Sequence, residues 1–289
     1  MASLQDIRRR IRSVKNTQQV TKAMKMISAV KLRKAQERLL STRPFVTALH
    51  ESVGQVTSRL GSDTKIIDDP LAQAFFSPRE EKKIHLVAIA GDKGLCGGFN
   101  TNLLKAAELF LKEHPGKTVK LDAIGKRAAE WAKKSGIRTS FEATSLTPDV
   151  FSKTARDIAE RAIQGYAKGE IDALYLIYNH FNSAVSQSPK SVRVFPPDEK
   201  PEATGVEHLL EPDPETVLRA LLPYYVETEI YRAMLESSTS EHAARMAAMD
   251  KATSNANEMI EKLTLHMNKV RQAAITNQII EVVSGAAVS

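Results

Sequence analysis

Apolar residues near the start of the chain fall at Leu4, Ile7, Ile11 and Val14, and again at Leu32, Ala35 and Leu39. The spacings alternate between 3 and 4, a heptad seam along a helix. Between the two apolar runs the same register lands on Gln18, Thr21, Lys25 and Ser28, while Val20, Met24 and Ile27 form a displaced stripe. Such a stutter predicts a local change of coil. No glycine or proline interrupts residues 1–43, so a helix there would run roughly 60 Å. The far end mirrors it. After Pro223 the next glycine or proline is Gly285, room for about 90 Å of helix. Along it, Met249, Ala252, Ala256, Met259, Leu263, His266, Val270 and Ala273 alternate in the same way. Each helix offers one narrow apolar stripe, and packing them against each other as an antiparallel pair buries both. The last turns, with Ile275, Ile279, Ile280, Val282 and Val283, are apolar on most sides. A helix of that kind requires burial. Because this one outruns its partner, the pattern predicts a sleeve made by another protein.

The middle of the chain changes period. Ile84–Ala90, Thr118–Ile124 and Ala173–Tyr178 read as strands, with Val192–Phe195 as an edge strand stopped by Pro196 and Pro197. Helices are expected near 101–112, 126–134 and 148–168, and the proline-rich stretch 196–214 reads as a linker. Strands alternating with helices predict a mostly parallel sheet covered on its faces. The fold class is therefore α/β plus a long antiparallel α-helical coiled coil. The N- and C-terminal helices form the coil, and the central segment is a Rossmann-like α/β domain. The expected boundaries are 1–60, 75–200 and 210–289.

Charge sharpens the picture of the first helix. Residues 1–43 carry twelve Lys or Arg against Asp6 and Glu37, a local charge of +10, whereas the whole chain carries +7. So basic a helix suits nucleic acid, an anionic membrane surface or an acidic protein. A basic coiled-coil nucleic-acid-binding protein is the alternative reading, although the helix has few aromatic residues for stacking. No apolar run is long enough to span a bilayer. The single cysteine, Cys96, allows no internal disulfide.

The chemistry-bearing candidate is the loop "GDKGLCGGFN", residues 91–100, directly after the first strand. Its glycines do not match G-x-G-x-x-G, and Gly98 is followed by Phe99 and Asn100 rather than by Lys and Ser or Thr. A tight strand-to-helix turn using positive φ accounts for it without a ligand. Cys96 would need a neighbouring base to act as a nucleophile, and His85 on the preceding strand is the sole nearby candidate in sequence. The seven histidines are scattered without metal-ligand spacing, His266 reading as a tolerated polar seam residue. Neither an enzyme site nor a metal site is expected.

Three stretches, Ile7–Gln36, "GDKGLCGGFN" and Glu241–Ala287, together resemble the γ subunit of F-type ATP synthases over nearly the whole chain. The resemblance implies that the sleeve is the ring of α and β subunits, that the coiled coil is a rotating shaft, and that the α/β domain sits at its foot. Further implied partners are the ε subunit and the membrane c-ring, with no nucleic acid. Proton flow through that ring would turn the shaft and drive the β subunits through their nucleotide states. Mg-ATP and Mg-ADP would be bound by α and β, and no cofactor by this chain. By the same likeness Arg271, Gln272 and Thr276 match the segment touching the β catch loops. Lys22, Met24 and Lys25 match the stretch facing the acidic β lever loop. Arg245 and Glu281 lie in the C-terminal segment implicated in energy coupling. The glycine loop is implied to be a structural turn. The absence of a cysteine pair argues against thiol switching, and the lack of a separable leader points to a bacterial form, peripheral on the cytoplasmic side of the inner membrane.

Overall fold

The computed structural model describes residues 4–61, 69–74, 76, 78–198, 201 and 209–288, the side chains of residues 281 and 284–288 excepted. The chain divides into two compact units, residues 1–29 with 245–289, and residues 30–244.

Two helices dominate: α1 (Leu4–Leu60) and α6 (Pro214–Val288). Each runs through a proline that the sequence pattern sets as a limit, Pro44 in α1 and Pro223 in α6. A proline inside a helix costs one backbone hydrogen bond and frees the carbonyl four residues earlier. In α1 both Pro44 and Leu40 are exposed, so water can satisfy that carbonyl.

In the first unit the heptad register read from the N-terminal sequence is the buried seam, polar positions included. Ile7, Thr21 and Ser28 are buried, and Leu4, Ile11, Val14, Gln18 and Lys25 are half-buried. Of the displaced stripe only Met24 is half-buried: Val20 is 58 % and Ile27 57 % exposed. The physical reason lies across the seam. Gln18 Nε2 donates to Asn257 Oδ1, the Thr21 and Thr253 hydroxyls lie 2.8 Å apart, and Lys25 Nζ donates to Asp250 Oδ1 at 2.6 Å. Polar partners on α6 thus hold the polar face of α1 inward.

On α6 the expected seam holds at Met249, Ala252, Ala256, Leu263 and Val270 and fails at Met259, His266 and Ala273. Thr253, Ala256, Ile260, Leu263, Met267, Val270 and Ala274 are buried or half-buried, whereas Met259, His266 and Ala273 are exposed. Both series alternate 3 and 4, so periodicity alone could not separate them. The observed series carries the match of Thr253 to Thr21. The polar pairs also fix the register: continued along the helices, it sets Leu4 opposite about residue 271, leaving roughly 17 residues of α6, some 25 Å, beyond the start of α1.

The second unit is built on a five-stranded sheet. Its strands are β1 (Lys83–Ile89), β2 (Thr118–Ile124), β3 (Thr139–Ala143), β4 (Ala173–Phe181) and β5 (Gln187–Phe195), in the order β3-β2-β1-β4-β5. The first four are parallel, and β5 joins β4 antiparallel at the edge. Strand β3 had no clear signal in the sequence, because an edge strand reading Thr-Ser-Phe-Glu-Ala is only half-buried on one face. β5 starts earlier than expected and includes Pro189, which an edge strand tolerates. Helices α3 (Phe99–Glu113) and α4 (Lys126–Lys134) cover one face through Leu103, Ala107, Phe110, Ala128 and Trp131. The other face packs on α5 (Phe151–Ala167) and on the parts of α1 and α6 in this unit, including Leu49, Val53, Val226 and Ile230. A short helix, α2 (Pro70–Ala74), buries Ala72 and Ala74 in the same core.

Two buried polar networks tie these layers. Under α5, Asp122 of β2 is fully buried, with His85 Nε2 and Arg161 Nη2 at 2.9 and 3.2 Å and the Ser140 hydroxyl donating at 2.6 Å. Burial alone would raise the Asp122 pKa, but these partners outweigh it and hold the carboxyl below its ordinary value. Between α1, α6 and β4, Arg232 bridges Glu229 and Glu236, His50 meets Glu229 at 2.9 Å, and His180 meets Glu236 at 2.5 Å. Burial opposes the Glu229 charge, yet His50 and Arg232 draw its pKa down to about 2.

Two outcomes follow from these networks. Asp122→Asn leaves Arg161 without its buried counter-charge and should lower unfolding free energy by about 3–5 kcal/mol in urea titration. Glu229 has a depressed folded pKa, so its stabilisation is complete above about pH 5 and is lost as pH falls from there towards about 2. Glu229→Gln should flatten that acid limb in a melting-temperature profile. An unchanged acid limb would assign it to other groups.

Candidate functional site

The glycine loop follows β1 and opens α3. Asn100 Oδ1 accepts the Gly91 N–H at 2.9 Å, and Asn100 Nδ2 reaches Lys93 O and Cys96 Sγ at 3.3 and 3.2 Å. Asp92 Oδ1 accepts the N–H groups of Lys126 and Ser145, at 2.8 and 3.0 Å, joining the loops that follow β1, β2 and β3. Gly125 has φ +89°, and a Cβ there would stand 2.1 Å from Ala90 O. Only glycine permits that approach. Cys96 is buried beside Lys93 and Asn100, whereas His85 is engaged with Asp122. The pairing of thiol and imidazole weighed from sequence does not form.

In open α/β sheets, ligands enter the crevice at the carboxyl ends of the strands where strand order reverses. Here the reversal falls between β1 and β4. That crevice is filled by α6. Ser237 Oγ donates to Ile89 O at 3.1 Å and Ser240 Oγ donates to Asn179 O at 3.0 Å, and both serines are buried. The Glu241 side chain lies over Gly91, its carboxylate about 3 Å from where a Cβ would stand. A carboxylate over the loop repels the phosphate that a glycine cradle would take. The loop is thus a socket for the chain's own helix. Sequence reasoning missed Asn100, Ser237, Ser240 and Glu241 because nothing in the local pattern tells that α6 crosses the sheet there. Among the described residues no cluster of His, Cys, Asp and Glu could hold a metal ion.

The residues singled out by resemblance lie on the two long helices, in the first unit. Lys22 is exposed, Met24 half-buried, and Lys25 spans the seam to Asp250. Arg245 is buried rather than displayed, at 8 % exposure. Arg271, Gln272 and Thr276 are exposed on the overhang, with the Thr276 hydroxyl bonded back to Gln272 O at 2.9 Å. The side chain of Glu281 lies outside the described residues. Register separates the two groups. Lys22 stands about 18 residues, or roughly 27 Å, from the level of Leu4 and Arg271. The overhang leaves Ile275, Ile279, Ile280, Val282 and Val283 to solvent, Val282 at 71 %. So contiguous an apolar surface marks an interaction site.

Two glycines separate close packing from backbone strain. Gly125 and Gly116 both have positive φ, but nothing lies within 4 Å of a Cβ at Gly116. Gly125→Ala should therefore destabilise by about 1–3 kcal/mol more than Gly116→Ala in parallel denaturant titrations. Equal losses would mean that the Ala90 contact relaxes freely.

Comparison with known proteins gives a consistent set of likenesses. A family model described as ATP synthase matches residues 3–288. The ATP synthase gamma chain of Solibacter usitatus (strain Ellin6076) is 52 % identical over 287 residues, 99 % of each chain. That of Pelotomaculum thermopropionicum is 42 % identical over 290 residues, again 99 % of each. Among solved structures, a chain of the central stalk and c-ring of Tetrahymena thermophila mitochondrial ATP synthase matches with TM-score 0.57 and 27 % identity, over 81 % of this chain and 99 % of that one. A chain from the OSCP/F1/c-ring structure of Euglena gracilis mitochondrial ATP synthase aligns at TM-score 0.64 over 99 % of this chain and 94 % of that one. At 18 % identity that last likeness concerns the fold alone. None of these names supports the nucleic-acid alternative.

Proposed function

Because the chain belongs to the family of ATP synthase gamma chains, we propose that it is the central rotor shaft coupling proton flow through a membrane ring to ATP synthesis and hydrolysis. The observation that carries the reading is the apolar overhang of α6, helical but without a partner helix. Its sleeve is the ring of three α and three β subunits. Contacts between apolar side chains and an apolar collar are nondirectional, so they present no deep wells against turning. The polar residues at defined heights then carry the coupling: Lys22, Met24 and Lys25 at the lower level, Arg271, Gln272 and Thr276 at the upper. Arg245, buried in the first unit, acts from inside it, and Glu281 belongs to the tip.

In this reading residues 1–60 and 210–289 form the shaft and residues 75–200 the foot, which meets the ε subunit and the c-ring. The chain binds no nucleotide, and Mg-ATP and Mg-ADP stay on α and β. The basic first helix finds its counter-charge in acidic loops of β rather than in nucleic acid. No helix among the described residues is long and apolar enough to cross a membrane. In the same reading, attachment is peripheral, through the membrane sector, on the cytoplasmic side of a bacterial inner membrane.

Mixing the purified chain with α and β subunits of a bacterial F-type ATPase tests the reading. A stable 3:3:1 complex with stimulated hydrolysis is expected, and failure to associate would overturn it. Lys25→Glu gives a finer check. The Lys25–Asp250 pair is largely solvent-exposed, so its loss should change stability by no more than about 1 kcal/mol. Proton pumping per ATP hydrolysed should fall well beyond what that change explains. A loss of fold instead would make Lys25 a structural residue.

A further inference from the structure

The centre of the coiled coil inverts the usual arrangement. Gln18, Thr21, Lys25 and Ser28 occupy the seam of α1, while Val20, Met26 and Ile27 point outward. At this level alone, a turn of one position would bring Val20 and Ile27 inward in place of Thr21 and Ser28, so the inward polar residues serve something other than burial. Three successive cross-helix pairs, Gln18–Asn257, Thr21–Thr253 and Lys25–Asp250, share one register. Thr21 and Thr253 are also anchored to their own helices, through Gln18 O and Met249 O.

The layers nearer the tip carry no such information. Continuing the register brings Val14 towards Ile260, Ile11 towards Leu263 and Ile7 towards Met267, all buried or half-buried aliphatic or thioether side chains. Sliding α6 by one heptad, about 10 Å, would exchange one apolar neighbour for another at little loss. The same slide would break all three pairs and set the part-buried Thr21 hydroxyl against Ile260. A polar position within an apolar seam specifies register at some expense of stability.

We infer that the Gln18–Asn257, Thr21–Thr253 and Lys25–Asp250 pairs are the register key of the shaft: they hold α1 and α6 at one axial offset. The offset matters because the two contact levels lie on different helices, Lys22 to Lys25 on α1 and Arg271 to Thr276 on α6. It sets their separation along the axis, and in this respect the inference rests on the proposed function. Gln18, Thr21, Thr253 and Asn257 are then positioning residues, acting through the contacts whose height they fix.

The test uses the full chain in a Cys96→Ser background, with two reporter pairs for oxidative cross-linking. Val14→Cys with Ile260→Cys reports the observed register, and Val14→Cys with Met267→Cys reports a one-heptad displacement. With the natural key, only the first pair should cross-link. In the chain carrying Gln18→Leu, Thr21→Val, Thr253→Val and Asn257→Leu, the displaced product should rise about tenfold or more, a loss of ~1.4 kcal/mol of discrimination. Its melting temperature should be unchanged or higher, since replacing both partners of a polar pair by apolar groups is neutral or stabilising. Thr21→Ser with Thr253→Ser should keep the first product alone. Should the fourfold variant not fold, Thr21→Val with Thr253→Val alone is read by the same cross-links. A key-free chain that yields only the observed-register product overturns the inference. In the whole enzyme, membrane ring included, the fourfold variant should hydrolyse ATP with reduced proton pumping per ATP. If the unmodified chain fails to join that ring, the proposed function falls while the free-chain cross-links still decide the register.

Discussion

Two antiparallel helices of unequal reach impose the main constraint on this protein. Among the described residues α1 supplies a partner for α6 only as far as Leu4, and α6 continues for roughly 17 residues more. A helical end of that length is marginal in water, because no tertiary packing supports it. It is also rich in isoleucine and valine, residues that lower helix propensity and expose apolar area. Such a sequence makes sense against a wall. The wall must be apolar and continuous around the helix, since side chains on several faces are affected.

The α/β unit answers a different demand. Its sheet has the order and the glycine-rich first loop of folds that bind nucleotides, yet its switch-point crevice holds Ser237, Ser240 and Glu241 of α6. Fold and function separate here. A layout that elsewhere grips a phosphate grips a helix of the same chain. The Glu229–Arg232–Glu236 network with His50 and His180 adds directional contacts among α1, α6 and β4. In a part that bears load, such contacts fix one arrangement where apolar packing alone would admit several.

Much of this was legible in the sequence, for reasons that differ by element. The long helices announced themselves by period and by their lack of glycine, and β1, β2 and β4 by short apolar runs. The seam of α1 keeps its heptad through the polar residues, and the stripe of Val20, Met24 and Ile27 expected from the sequence does not replace it. The seam of α6 was readable only in part: Met249 begins two alternating series, and packing on α1 brings Ile260 and Met267 inward rather than Met259 and His266. For the same reason His266, placed in the seam by period, lies outside it. Strand β3 escaped notice because edge position removes the apolar signal. The crossing of α6 over the glycine loop escaped notice because it joins residues roughly 150 positions apart, which no local pattern encodes. Of the residues singled out by resemblance, Arg271 and Gln272 are exposed, and the burial of Arg245 could be learned only from the fold.

Hydrogen–deuterium exchange across residues 272–283, in the free chain and in its complex with α and β subunits, tests the central claim most directly. An overhang that depends on an external sleeve should exchange rapidly when free and slow markedly in the complex, while residues paired with α1 change little. Equally rapid exchange in an assembled, hydrolysing complex would contradict the account, because the tip would then be uncovered where it is said to turn.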